Sequence, residues 1–176
     1  MGDVNRLLGM ELVPRTSWYD NVRSQVSREV WKEIRFRTLK PSCQLCGWKG
    51  LLFCHEVWKY DDVAHVQKLI GFESLCFLCH SVKHLGLAGI MAQKGQLDYS
   101  ELVAHYCKVN GCTDKDFLRD RKEAFEVWRR RSEHPWTVDV SYLEGLGLKG
   151  MYRVVSEYIH THPDEVQAIK QKYNLP

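Results

Sequence analysis

The chain has 176 residues, of which 44% are hydrophobic and 11% aromatic, so it carries enough apolar material for one folded domain, with or without a helical extension, and is not expected to be disordered. No apolar run approaches the roughly 20 residues of a membrane-spanning helix, and we therefore expect no membrane partner. A net charge of +3 at pH 7 is too small to indicate nucleic-acid binding by itself.

Residues 1–42 are predicted to form an N-terminal arm and a helix that pack on the core of the protein. Residues 1–9 are a polar lead. Ser27 is a favourable N-cap, and the helix that it begins is expected to run to about Leu39, because Pro41 cannot continue it. This region is rich in basic residues, which more often form a solvated helix face than a binding surface.

Two Cys-x-x-Cys pairs come next, Cys43 with Cys46 and Cys76 with Cys79. Four thiolates in two matched pairs are typical of a structural zinc site, since zinc prefers a closed tetrahedral shell. A redox pair would occur once in a βαβ unit, and a disulfide framework is disfavoured by an odd cysteine count and the lack of a secretion signal. The cysteines therefore predict one structural Zn²⁺ in a reducing, cytoplasmic environment.

The insert between the two cysteine pairs is expected to hold structure of its own. The aromatic and β-branched run at 51–58 indicates a strand, and residues 68–75 indicate a second strand that leads into the second pair. The residues after Cys79 favour a short helix on which His80 and His84 lie one turn apart on the same face. We predict an α+β fold in which a zinc-linked ββα core over residues 43–95 is surrounded by α-helices.

Residues 96–176 are predicted to form a helical C-terminal extension. Asp98 is the cap of one helix, and Thr113 begins the clearest helix of the chain with a variant of the capping box. Residues 136–139 alternate as in a strand. Two terminal elements, at 151–160 and 163–174, are expected either to pack on the core or to pair between chains.

The residues from Cys43 to His84 resemble the HNH nuclease motif, also called the ββα-metal fold, in its zinc-linked form. The resemblance lies in a Cys-x-x-Cys before the first strand and a Leu-Cys-x-x-Cys-His-x3-His after the second. More loosely, most of the chain resembles small bacterial and phage HNH proteins. The resemblance implies an endonuclease, a hydrolase that cleaves phosphodiester bonds with one divalent metal, in which His55 is the general base and His80 and His84 hold the catalytic metal.

Two positions depart from the HNH pattern. Cys54 stands where the family has an aspartate or histidine ligand before the base, and Gly71 stands at about the position of the asparagine that orients the base. Glu56 shares the strand face of Cys54 and is a further candidate ligand that would need only a small shift. The second divalent metal is accordingly left open between Mg²⁺, Mn²⁺, Ni²⁺ and Zn²⁺.

DNA is the expected partner of such an enzyme, and six basic residues are candidates for nucleic-acid contacts. They are Arg35, Arg37, Lys83, Arg129, Arg130 and Arg131. The alternative is a catalytically inactive HNH-fold zinc-binding module that binds a nucleotide, a nucleic acid or a protein partner, for example as a phage-type regulator or inhibitor. A homodimer is compatible with either function.

Overall fold

A computed structural model of the chain describes residues 6–148, so the two elements predicted at 151–160 and 163–174 lie outside the described residues. The fold is α+β, as predicted. In chain order it consists of a 3-10 turn at Arg15–Ser17, helices α1 (Val22–Gln25) and α2 (Arg28–Thr38), strands β1 (Leu52–Asp61) and β2 (Val66–Cys76), helices α3 (Phe77–Lys83), α4 (Leu85–Gln93), α5 (Tyr99–Asn110) and α6 (Asp114–Arg131), strand β3 (Thr137–Asp139) and helix α7 (Tyr142–Gly145). None of the helices in this part of the chain is long and apolar enough to cross a membrane.

The sheet is a long hairpin with one added strand. Strands β1 and β2 pair antiparallel from Leu52 opposite Cys76 to Asp61 opposite Val66, with a register shift at Val57. Strand β3 pairs parallel to β2, so the predicted strand at 136–139 joins the core sheet from the C-terminal extension. Because β2 lies in the middle, β1 is an edge strand, and a cavity can form beside it.

Side-chain caps fix the helix starts where the sequence predicts them. Ser27 Oγ accepts from Val30 N, and Asp98 Oδ1 accepts from Ser100 N. Thr113 and Asp116 form a complete capping box, each side chain accepting from the other's backbone N–H. These bonds satisfy amides that the first turn of a helix leaves without partners.

The buried residues form two clusters that share the hairpin. One cluster joins the cysteine region to α3, α4 and α5. The other packs Val30 and Ile34 of α2 against Leu69 of β2 and Leu143 of α7. The N-terminal lead is not merely polar: Leu8 is fully buried in the first cluster, where its backbone N–H and C=O pair with the side chain of Asn110.

Candidate functional site

The four cysteines of the two Cys-x-x-Cys pairs converge. Their sulfur atoms all lie within 4.8 Å of one another, and Cys46 Sγ lies 3.6 Å from Cys76 Sγ. A tetrahedral zinc with metal–sulfur bonds of about 2.3 Å has sulfur–sulfur edges of roughly 3.8 Å. A disulfide would need a sulfur–sulfur distance of about 2.05 Å. The arrangement fits a structural metal such as zinc.

Backbone geometry shapes the two cysteine turns. Gly47 donates its N–H to Cys43 O at 2.9 Å, and this hydrogen bond closes the first turn. Gly47 has a φ of 74° there, a backbone conformation that glycine adopts without steric cost. In the second turn Cys76 is the N-cap of α3, and its sulfur accepts from Cys79 N at 3.4 Å. Helix α3 therefore begins at Phe77, earlier than predicted. The candidate metal ligand Cys76 is thus held in position at the start of this helix.

His105 on α5 places Nε2 3.1 Å from Cys79 Sγ. With the proton on Nε2, this imidazole donates a hydrogen bond to the thiolate, which would orient a metal-binding sulfur from outside the ligand set. No spacing in the sequence links His105 to the cysteines, because 26 residues separate it from Cys79.

The three histidines singled out in the sequence also come together. His55 on β1, His80 on α3 and His84 directly after α3 bring ligand nitrogens within 4.8 Å of one another. The ring centroids of His55 and His84 are 4.9 Å apart, and those of His80 and His84 are 4.6 Å apart. We call these three residues the histidine triad.

The triad offers uncharged nitrogen ligands. Burial, with a contribution from neighbouring His55, lowers the pKa of His80 to about 4 and that of His84 to about 3, so both rings are neutral at pH 7. His55 is 4% exposed, and neither of its ring nitrogens has a hydrogen-bond partner. Buried polar atoms are rarely left unpaired, and a metal ion on His80 and His84 with a bound water beside His55 would give one of these nitrogens a partner.

A carboxylate that the sequence did not single out lies beside the triad. Glu11 Oε2 is 3.5 Å from His55 Nε2, while Glu11 Oε1 accepts from the Lys83 ammonium. The arm that carries Glu11 is held in place by a bond from Glu11 N to Lys83 O at 3.2 Å. Burial alone would raise the pKa of Glu11, but His55 and Lys83 outweigh it and the pKa is lowered. An ionised carboxylate therefore stands next to the imidazole of His55.

Glu56, the further candidate ligand, is engaged with other groups and not with the histidine triad. Its carboxylate accepts from Val22 N at 2.9 Å and from Trp58 Nε1 at 3.2 Å, and it is not among the three residues whose ligand atoms converge. Successive residues of a strand point to opposite faces, so the neighbour of His55 faces away from the triad. Burial raises the pKa of Glu56 to about 7.

Two of the candidates for nucleic-acid contacts, Lys83 and Arg131, are paired with carboxylates of the protein. The Lys83 side chain is 7% exposed and bound to Glu11. Arg131 donates from Nε and Nη2 to both oxygens of Asp62, at 2.6 and 2.7 Å, and lies over the ring of Tyr60. Asp62 is therefore the ion-pair partner of Arg131.

The remaining candidates for nucleic-acid contacts are exposed. They are Arg35, Arg37, Arg129 and Arg130. Of these, Arg37 bonds Glu33 and Leu146 O.

A cavity of about 410 Å³ runs from the triad along the edge of β1. Besides the triad, its walls include Glu11, Asp20, Arg23, Glu56 and the aromatic residues Trp18, Trp31, Trp58 and Tyr60. This places ligand nitrogens, carboxylates and aromatic rings around one space of the size that small-molecule sites have.

No known protein family matches the chain, and no curated protein or solved structure matches it either.

Proposed function

We propose that the protein is a metal-dependent endonuclease of the HNH type that hydrolyses phosphodiester bonds in DNA. The observation that supports this proposal is that His55, His80 and His84 converge in the wall of a cavity. The hairpin and helix that carry them are joined at the four-cysteine group.

Phosphodiester hydrolysis needs a base for water and a positive charge near the phosphate. In this proposal His80 and His84 hold a divalent metal, which when bound supplies that charge and polarises the phosphate. His55 takes the proton from the attacking water, as an imidazole can at neutral pH. Nitrogen ligands suit Ni²⁺ or Zn²⁺ better than Mg²⁺, which prefers oxygen.

The charges around His55 support its role as the base. When His55 takes a proton it becomes a cation, and the Glu11 carboxylate 3.5 Å away stabilises that cation. Lys83 holds Glu11 in its ionised form and in position. Glu11 thus acts as a positioning residue, in place of the asparagine that the HNH pattern has near Gly71.

The test is nicking of supercoiled plasmid with Mg²⁺, Mn²⁺, Ni²⁺ or Zn²⁺ added in turn. We expect nicking with at least one metal, and His55→Ala to lower its rate at least a hundredfold, the usual contribution of a general base. His134→Ala is the matched control, since His134 is exposed and lies outside the cavity walls. Equal loss in both variants would contradict the role of His55.

A second candidate function has support in the same region. Burial raises the pKa of Cys54 to about 11, and this thiol packs with the cluster around α2, so it supplies no ligand to the triad. A zinc-binding module without catalytic activity would explain why Cys54 stands where the HNH pattern has an aspartate or histidine ligand. Failure of every metal to support nicking, with one zinc bound per chain, would favour this inactive module.

Glu11→Gln is expected to lower the nicking rate roughly tenfold to a hundredfold, because an uncharged amide stabilises the protonated imidazole of His55 less well. The nicking rate should be measured as a function of pH. Loss of the negative charge beside His55 favours its neutral form, so the pH at which the rate rises should be lower in Glu11→Gln than in the wild type. Glu133→Gln, at an exposed position, serves as the control. An unchanged pH profile in Glu11→Gln would rule out this role for the carboxylate.

A further inference from the structure

The histidine triad is recessed, and that restricts what can reach it. His55 is 4% exposed, and the triad lies in the wall of a cavity of about 410 Å³. A base-paired helix is far too wide to enter a space of this size. His80 and His84 are partly exposed, but a base can lie inside the cavity only if it leaves the base stack, as it does in single strands or in base flipping.

We propose that this cavity binds one unstacked nucleotide of a single-stranded or locally unpaired nucleic acid, with the base among the tryptophans and the phosphate at the histidine triad. The inference deepens the proposed nuclease function and rests on it for the cleavage step. The binding step stands on the cavity alone and can be measured without cleavage.

The cavity walls suit the flat face of a base. Trp18, Trp31 and Trp58 all line it, and stacking on aromatic rings is the usual way in which proteins hold unpaired bases. Two of these rings are held in place: Trp58 Nε1 donates to Glu56, and Trp31 packs edge-on against Phe72. Trp18 lines the cavity and is 44% exposed, so its ring is accessible to a ligand.

Outside the histidine triad, one polar atom in the described cavity wall lacks a hydrogen-bond partner. Asp20 Oδ1 is buried without a hydrogen bond, whereas both oxygens of Glu56 already accept bonds from Val22 N and Trp58 Nε1. A ligand that satisfies Asp20 must bring an N–H or O–H donor, and an amino group of a base is one such donor. Cytosine, adenine and guanine carry an exocyclic amino group, but thymine presents a carbonyl oxygen at the position of the cytosine amino group.

The cavity wall carries one arginine, Arg23, beside the carboxyl groups of Glu11, Asp20 and Glu56. Arg23 is exposed and lines the cavity, where its guanidinium can pair with a phosphate in the forked geometry that arginine favours. The pocket thus offers stacking surfaces, a free acceptor and a cation, which match a base, its amino group and its phosphate.

The test measures binding of labelled oligo-dC, oligo-dT and a blunt duplex of equal length to the full chain by fluorescence anisotropy, with no metal added. We expect oligo-dC to bind more tightly than the duplex. Trp18→Ala should weaken that binding by roughly 5- to 150-fold, the effect of losing one stacked base. Trp48→Ala is the matched control, because Trp48 is 49% exposed and lies outside the cavity walls.

Asp20→Asn tests the base preference. The new amide can donate to a thymine carbonyl, so we expect the preference for oligo-dC over oligo-dT to shrink or reverse while Trp18 still contributes to binding. Equal binding of duplex and single strand, or no effect of Trp18→Ala in a variant that melts like the wild type, would overturn the proposal.

The two proposals fail separately. Single-strand binding that depends on Trp18, without nicking by any metal, would leave the nucleotide site standing and remove the nuclease. Nicking of duplex plasmid that depends on His55 but not on Trp18 would leave the nuclease and remove the nucleotide site.

Discussion

Cys76→Ser is expected to abolish zinc binding and to leave the chain largely unfolded under conditions in which the wild type is folded. Cys43, Cys76 and Cys79 are buried in the larger core cluster. Without a bound metal ion, their sulfur atoms would lie inside the core with no ion to coordinate. Structural zinc contributes on the order of 10 kcal/mol or more to folding, which matches or exceeds the total stability of a typical domain of about 5–15 kcal/mol.

The substitution is chosen so that little else changes. Cys76 is the N-cap of α3, and serine is a good N-cap, so the capping interaction is kept while the thiolate is lost. Metal content per chain and urea unfolding followed by circular dichroism measure the result. Cys112→Ser is the control, since Cys112 lies outside the four-cysteine group. A Cys76→Ser protein with the wild-type unfolding midpoint would show that the cluster carries no structural metal.

The features that the sequence predicts well are those fixed by short-range signals. Matched Cys-x-x-Cys spacing brings four thiols together, Ser27 and Thr113 mark helix starts, and two β-branched runs form the hairpin. Each of these signals lies within a few residues of the feature that it specifies. The hairpin and α3 meet where the two cysteine pairs converge, and His55 on β1 lies beside His80 and His84 as the HNH resemblance implies.

The features that the sequence does not predict depend on residues far apart in the chain. Glu11 precedes His55 by 44 residues in an extended arm with no periodicity, and its role becomes visible only when the arm docks beside Lys83. Glu56 shows a different limit. Its alternation with Cys54 puts both side chains on one face of β1, but the same alternation turns Glu56 away from His55. No small shift of a paired strand changes the face on which a side chain lies.

Lys83→Met is expected to lower the free energy of unfolding by about 3–5 kcal/mol at pH 7, the usual cost of removing one member of a buried ion pair. The Lys83 ammonium lies between Glu11 and Glu73, with Nζ 3.9 Å from Glu73 Oε2, and methionine fills a similar volume without charge. Lys122→Met is the control, because Lys122 is 79% exposed in its pair with Glu126, where such a change is worth less than about 1 kcal/mol.

The pH dependence of the Lys83→Met effect follows from Glu11. Its pKa in the folded protein is lowered below the ordinary 4.5, so its ion pair adds stability above that pH and loses it as the pH falls through the lowered value. The difference between wild type and Lys83→Met should therefore be largest near neutrality and shrink in acid, as measured by urea unfolding across pH. If Lys83 instead bound phosphate at the surface, the variant would keep its stability and lose DNA affinity. That pair of results would overturn the buried ion pair and, with it, the support that Lys83 gives to Glu11 and His55.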